Sequence, residues 1–360
     1  MKAPKHRWLA IAICCRVVAC LTVWTSVGRS ADSGEPSPEA VLQEHGLSKV
    51  GKLWILPEEQ ELRDRLATLE RFEKRHREAR ASVEQLLDAN EATFARLSKL
   101  EESAEKTREL AAAAKAGTAQ RKQLDAEQKN ADAAVEQLRK VYIPPEKLGM
   151  GPPLKTALMD LVNARTDATL KLLAYRDTPD DLPQRYERLG KDPAIAAALA
   201  ALPTPGQLGP LKGLKDTWRL FVDKLDSNLL GNTLPIYREG RAIRLTAIVD
   251  DRRPLTFTFG NAGESTVIAQ NLAETAGLAV GPDARKVKYH IAEGRDVMAQ
   301  IAKIAQLRIG RRVWKNVEFY ILPPEAADVG ARISPNSLPG YHLTINPSRF
   351  QLTIENSAGR

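Results

Sequence analysis

The residues best placed to do chemistry lie in one short loop in the last third of the chain. The segment GNAGES, residues 260–265, stands between the stretches "LTFTF" and "TVIA", whose composition is typical of strands. Its only ionisable side chain is Glu264. A carboxylate can act as a general acid or base. A lone acid in a glycine-containing loop is more simply a side chain that faces solvent, and we favour that interpretation.

Other acids of the same region are predicted to lie in turns. Asp250 and Asp251 separate two predicted strands, where aspartate side chains commonly cap a hairpin turn. Asp328 lies in the segment "EAADVG", which we expect at the surface. These positions give no second carboxylate that would pair with Glu264.

Neither thiol nor metal chemistry is predicted. All three cysteines precede residue 21, and the five histidines are scattered without the spacing of zinc ligands. We therefore expect no metal site, no cofactor and no disulfide in the mature chain. The residues concerned are Cys14, Cys15, Cys20, His6, His45, His76, His290 and His342.

The N-terminus has the pattern of a secretory signal peptide. A basic start is followed by the apolar stretch "WLAIAICCRVVACLTVW" and by small residues, which predicts cleavage near Ser30–Ala31 and a periplasmic or secreted protein. Arg16 interrupts the apolar stretch, whereas a membrane span needs about 20 apolar residues. An uncleaved anchor, or a lipid on Cys20, is the alternative that would attach the chain to a membrane.

The basic charge of the chain is concentrated in this signal. The formal net charge is +8, but five basic residues and no acidic one precede Ala31, so the remainder has 48 basic and 45 acidic residues, a net +3. A nucleic-acid-binding protein would carry a basic face on its folded part. We therefore predict a protein or peptide partner and no nucleic acid.

The front half of the chain is predicted to be helical. After a flexible spacer (31–56), apolar residues recur with a mean spacing of 3.5 over 42 residues, the period of a coiled coil. A second stripe follows Gly117 and Thr118, a helix stop and an N-cap, so the two helices should form an antiparallel hairpin. The first stripe consists of Leu62, Leu66, Leu69, Phe72, His76, Ala79, Val83, Leu86, Asn90, Phe94, Leu97, Leu100 and Ala104. His76 and Asn90 are its polar exceptions; they could specify the register of the helices, but we favour a slightly imperfect stripe.

The composition divides the chain into a helical and a β-rich part. After the signal (1–30) and the spacer we expect a helical coiled-coil domain (57–202), a linker with one short helix (203–233) and a β domain (234–356). The fold class is therefore multi-domain α + β, with a helical hairpin or bundle followed by an all-β barrel.

The β domain resembles a retroviral-type aspartic protease, or retropepsin. The order of its segments carries the resemblance: a hairpin, the glycine loop, the "TVIA" strand, the "LAETAGL" helix, the hairpin "LRIGRRVWKNVEFYILP" and the closing "NSLPGYHLTINPSRFQLTI". Together they span about a third of the chain. The resemblance implies an acid-protease-like barrel and, for an active enzyme, a homodimer in which each copy supplies one catalytic aspartate.

The sequence differs from the pattern of this family at the catalytic motif. An ungapped register places Gly260 at the aspartate position, and a shift of one residue places Asn261 there. Neither side chain titrates near neutral pH. In the second motif, Ser334 and Pro335 stand where glycine is expected. We predict no catalytic residue in a degenerate motif that consists of Gly260, Asn261, Ala262, Gly263, Glu264 and Ser265.

Two functions remain open at this point. The preferred one is an exported pseudoenzyme that binds peptides or proteins as a scaffold and oligomerises through its coiled coil. The alternative is an active homodimeric aspartic endopeptidase whose site differs from the predicted one. The missing aspartate in "FGNAGES" favours the first.

Export predicts the mass of the mature protein. We expect the protein recovered from the periplasm or medium to begin near Ala31, because the signal is removed during export. Intact-mass spectrometry of the natural chain checks this. Protein that stays in the cytoplasm and retains Met1 would contradict the prediction.

Overall fold

The computed structural model of the protein describes residues 36–177, 181–260, 265–278, 281, 284–291 and 294–357. The predicted signal peptide lies outside these residues. Among them, no helix is both long and apolar enough to span a membrane. The front part consists of α1 (Pro38–Glu44), β1 (Ser48–Val50), β2 (Leu53–Ile55), α2 (Pro57–Ala113), α3 (Ala119–Val141), α4 (Leu154–Tyr175), α5 (Leu182–Gly190), α6 (Pro193–Ala200), β3 (Gln207–Leu208) and α7 (Leu214–Leu229).

Helices α2 and α3 form the predicted antiparallel hairpin. Gly117, with a φ of +81°, lets the chain reverse between them. The hydroxyl of Thr118 then caps α3 by accepting a hydrogen bond from the N–H of Arg121 at 3.2 Å. An ion pair between Arg139 and Glu101, at 2.7 Å, joins the two helices near their other end. Both the hairpin and its turn are therefore confirmed.

The apolar stripe of α2 packs against other elements of the same chain. Leu62 and Leu69 share a cluster with α4 and α7. Val83 and Leu87 contribute to the core that includes α4 and the β-rich part, and Leu97 is buried in the hairpin. A 3.5-residue period thus reflects packing within one chain here, and oligomerisation through this region stays a prediction.

The structure differs from the predicted flexible spacer, because its described residues, 36–56, are folded. In this segment, Leu42 and Trp54 are buried against α5 and α6. In the predicted linker (203–233), α7 is the short helix that the sequence predicts and buries Trp218 against α2 and α4, but β3, which precedes it, pairs with β2. Short apolar segments between prolines and glycines show no hydrophobic periodicity that would predict a buried element. Their burial depends on partners that are far away in the sequence.

The β-rich part contains one large sheet and one small sheet. The large sheet has the order β5-β6-β7-β12-β8-β11-β10-β9 and closes through an additional β6–β10 pairing; the small one has the order β13-β14-β4. The elements are β4 (Thr233–Pro235), β5 (Tyr237–Glu239), β6 (Ala242–Val249), β7 (Arg253–Phe259), β8 (Val267–Ala269), α8 (Gln270–Thr275), β9 (Lys286–Ile291), β10 (Arg295–Ile309), β11 (Arg312–Leu322), β12 (Ala331–Ile333), β13 (Tyr341–Asn346) and β14 (Gln351–Asn356).

One hydrophobic core joins the helical and β-rich parts. Phe350, which directly precedes β14, is 1% exposed and lies in the same cluster as Leu158 of α4 and Val83 of α2. Gly149 approaches the Phe350 ring so closely that a Cβ at this position would lie 2.5 Å from it, and its φ is +76°. Space and backbone conformation therefore both require glycine here.

An ion pair fastens the β6–β7 turn to β10. Asp250 accepts a hydrogen bond from the N–H of Gln306 at 3.0 Å, and Asp251 accepts one from the guanidinium of Arg308 at 2.9 Å. The Arg308 side chain is buried. The two aspartates thus hold the turn against a neighbouring strand, in addition to occupying the turn as the sequence predicts.

The shared core predicts that the two parts unfold together. Leu158→Ala should lower the free energy of unfolding by about 2–5 kcal/mol, because it opens a cavity in the core. Far-ultraviolet circular dichroism and the fluorescence of Trp314, measured in the mature chain with Trp54 and Trp218 replaced by phenylalanine, should report the same shifted urea transition. Leu220→Ala, at a position that is 70% exposed, is the control and should cost less than about 0.5 kcal/mol. Two separate transitions in the natural protein would contradict a shared core.

The Asp251–Arg308 pair predicts a pH dependence. Burial raises the pKa of Asp251, but the hydrogen bond and charge of Arg308 outweigh it and hold this pKa below its ordinary value of 3.8. A carboxylate with a lowered folded-state pKa stabilises the fold above about pH 4, and this stabilisation is lost as pH falls through the folded-state value.

Asp251→Asn should therefore destabilise the protein by about 1–3 kcal/mol at pH 7 and by less at pH 3, as measured by urea denaturation at both values. Glu355→Gln, which changes an exposed acid on β14, is the matched control. Equal losses from Asp251→Asn at both pH values would refute the assigned role of the pair.

Candidate functional site

The glycine loop begins where three strands of the large sheet meet. β12 lies between β7 and β8: it pairs in parallel with β7, with Ile333 opposite Phe259, and antiparallel with β8. The first residue after β7 is Gly260, whose N–H donates to the carbonyl of Ile333 at 2.9 Å. The start of the loop is therefore fixed by backbone pairing, which requires no particular side chain at residue 260.

The other end of the loop is held by a buried hydroxyl. Thr266 and Ser334 are each 1% exposed. The N–H of Ser334 donates to Oγ1 of Thr266 at 3.2 Å, and the N–H of Asn336 donates to Oγ of Ser334 at 3.3 Å. The segment after β12 is thus tied directly to the segment that leads into β8.

This geometry brings the two altered motifs together. Gly260 and Ser265, the ends of the predicted degenerate motif, lie beside the Ile333–Ser334 segment, although some 70 residues separate them in sequence. The other four residues of the motif, Asn261, Ala262, Gly263 and Glu264, lie outside the described residues. Which of Gly260 and Asn261 corresponds to the aspartate of a protease stays a prediction.

Residues with hydroxyl and apolar side chains pair at this strand junction. They are Thr258, Thr266 and Ser334, and Phe259 and Ile333. Hydroxyls of this kind can orient a bound group by hydrogen bonding, but they do not accept a proton from water near neutral pH.

A recess of about 330 Å³ adjoins Gly260 and carries two arginines. Arg244, Thr258 and Arg332 are neighbours across β6, β7 and β12, as the strand registers require. Arg244 contacts the hydroxyl of Thr258 and forms an ion pair with Glu239 at 2.7 Å. Arg244 is therefore paired with an acid, whereas Arg332 has no ion-pair partner among the described residues and gives the recess one guanidinium charge next to the loop.

Sequence analysis did not identify these two arginines as site residues. Their strands alternate buried and less buried positions, so Leu245 and Ile333 point into the core and the arginines point to the opposite face. This alternation in the sequence indicates on which face of the sheet each arginine lies. The pairing of β7 with β12, which creates the recess, joins segments that are far apart in sequence and leaves no local pattern.

The predicted surface acid, Asp328, lies at the rim of the same recess. Its carboxylate forms an ion pair with Arg295 at 2.6 Å and its side chain is 55% exposed, in agreement with the prediction of a surface position. No group of His, Cys, Asp and Glu residues within the described ranges is arranged to hold a metal ion.

Comparison with known proteins concerns the β-rich part. A family model described as "gag-polyprotein putative aspartyl protease" matches residues 246–330. Among solved structures, a retropepsin-like aspartic protease from Rickettsia conorii matches with 16% sequence identity and a TM-score of 0.26, covering 34% of this chain and 98% of that one. A search of curated proteins finds no match. The family-model match confirms the predicted resemblance of this part of the chain to a retroviral-type aspartic protease, over residues 246–330.

Proposed function

We propose that the protein is an exported, non-catalytic relative of the aspartic proteases that binds an extended peptide or protein segment and associates with copies of itself through its helical hairpin. The observation that carries the proposal is the position of Gly260. This residue directly follows β7 and its N–H bonds to Ile333. An ungapped alignment with the protease motif puts the catalytic aspartate at the same position. The export part rests on the N-terminal pattern alone.

Glycine in place of the catalytic aspartate would remove the protease activity, because the chemistry of the family depends on that side chain. Aspartic proteases hold the attacking water between two carboxylates that share a proton. In a retroviral-type homodimer each copy supplies one of them, so a single substitution in the chain removes both. Glycine has no side chain, and asparagine, in the shifted register, cannot take a proton. Glu264 would have to replace the aspartate from another backbone position, whereas catalytic groups need placement to within about 0.5 Å.

Two features support peptide binding without cleavage. β9 is an edge strand of the large sheet, paired on one side with β10. Extended peptides can add to such an edge through backbone hydrogen bonds. In the recess beside Gly260, the guanidinium of Arg332 has no ion-pair partner among the described residues. It could therefore select an acidic side chain of a bound peptide.

Exposed apolar side chains on the helical hairpin support self-association. Phe94 and Leu110 of α2 are 50% and 61% exposed, and Val141 at the end of α3 is 67% exposed. Large apolar groups at the surface often mark sites of association. We therefore propose that the hairpin contributes to a homo-oligomer.

The proposal predicts that the natural protein does not cleave peptides. An unstructured protein such as casein should remain intact between pH 3 and 7, because losing a general base alone costs about 10²- to 10⁴-fold in rate. Asn261→Asp and Gly260→Asp each restore a carboxylate in one of the two registers. Asn261→Ser and Gly260→Ala are the matched neutral controls.

Cleavage gained only by Asn261→Asp would select the shifted register, and cleavage gained only by Gly260→Asp the ungapped one. Glu264→Gln tests the competing function. Cleavage by the natural protein that Glu264→Gln abolishes would overturn the proposal and identify Glu264 as the catalytic acid of an active endopeptidase.

A further inference from the structure

A second cavity lies between the helical and β-rich parts. Its volume is about 390 Å³, within the range of about 300–1,000 Å³ that small-molecule sites occupy. Facing stripes of α2 and α4 form two walls, and β4 with the segment around Phe350 forms the third. The junction motif around Gly260 does not contribute to it.

One end of this cavity is apolar. Leu158 and Leu161, one turn apart on α4, lie beside Leu87 of α2, and Phe350 and Leu234 close the β side. These side chains are all buried. This end can therefore accommodate a hydrocarbon group that leaves water.

The polar wall contains a buried cation without an acidic partner. Arg165, one turn beyond Leu161 and about 6% exposed, donates to the carbonyls of Leu229 and Thr233. Burial lowers its pKa, but only to about 10, so the group is charged at neutral pH. Its hydrogen bonds to these carbonyls use three of its five N–H groups, and no carboxylate among the described residues pairs with it.

The other arginines of the cavity are already neutralised. Arg80 pairs with Glu84 at 2.8 Å. Arg349 pairs with Asp88 at 3.4 Å and with Glu91 at 3.2 Å. The charge that the cavity leaves unmatched is therefore that of one guanidinium. A buried charge without a counter-charge is costly, and the carbonyls at the end of α7 offset it only in part, through the helix dipole.

His76 stands on the same wall, one turn before Arg80. Burial, and then the charges of Arg165 and Arg80, lower the pKa of His76 to about 4. The imidazole is therefore neutral near pH 7 and offers an N–H as a hydrogen-bond donor. His76 is a polar member of the otherwise apolar stripe of α2, and its side chain lines the cavity.

We propose that this cavity binds a small monocarboxylate with an apolar body, its carboxylate at Arg165 and His76 and its hydrocarbon part against Leu158, Leu161 and Phe350. A single unmatched guanidinium suits one negative charge, and the fork of an arginine matches a carboxylate. The adjoining apolar surface distinguishes such a ligand from an inorganic anion. The inference is independent of whether the barrel cleaves peptides.

Hexanoate is the probe, titrated by calorimetry into the full mature chain at pH 7. Saturable binding of one hexanoate per chain is expected. Acetate has the charge without the tail, 1-hexanol has the tail without the charge, and hexylammonium carries the opposite charge; each should bind at least tenfold more weakly. Equal binding of all four compounds, or no saturable binding of hexanoate, would overturn the proposal.

Variants locate the site. Arg165→Gln should weaken hexanoate binding at least tenfold. Because Arg165 also holds the end of α7, Leu161→Phe provides a second test: it fills the apolar end and leaves every charge in place, and should also weaken binding at least tenfold. Arg77→Gln, on the solvent face of α2, should leave binding unchanged. Unaltered binding in folded Leu161→Phe would place any bound hexanoate elsewhere and refute the assignment.

The imidazole of His76 gives an independent readout. In histidine nuclear magnetic resonance spectra, with the signal assigned by its loss in His76→Gln, bound hexanoate should raise the pKa of His76, because a nearby negative charge favours the protonated ring. A pKa of His76 that saturating hexanoate leaves unchanged would show that the carboxylate does not sit on this wall.

Discussion

The packing of Phe350 between the two parts of the chain is the contact on which the rest of the architecture depends. The ring precedes the last strand, yet it is buried with Leu158 of α4 and rests against Gly149. The last strand in turn pairs with β4, which directly follows α7. The C-terminal segment of a chain that looks like two domains in sequence thus packs on the helices of its front part, and neither the bundle nor the small sheet is complete alone.

The strand junction at Gly260 shows which bonds hold the two ends of the glycine loop. They are the backbone bond from Gly260 to Ile333 and the Thr266–Ser334 bond. Neither bond uses a carboxylate. Ionised carboxylates placed close together would instead repel one another. In the proposed register, glycine in place of an aspartate at residue 260 therefore leaves both bonds intact.

Local signals in the sequence predicted the elements well. Gly117 with Thr118 marked the hairpin turn, and the predicted "LAETAGL" helix is α8, which is followed by Gly277 with a φ of +61°. The burial of a residue was not predicted where it depends on partners that are distant in the sequence. Trp54 and Trp218 are buried by helices that begin more than 40 residues away from them in sequence, and a 3.5-residue stripe does not say whether its partner belongs to the same chain. The recess with Arg332 and the cavity with Arg165 were missed for the same reason, since each forms where separate segments meet.

The shared core also limits how two copies of the chain can associate. Leu234 and Phe350, beside the small sheet, already pack on α4, so a second copy could use that surface only by opening the core. Association must therefore use surfaces that remain exposed, and the hairpin with Leu110 and Val141 offers one. A catalytic homodimer must bring two loops together at one place, whereas association through a hairpin imposes no such condition on the loops. The proposed association through the hairpin and the pairing of two catalytic loops therefore place different requirements on the surface of this chain.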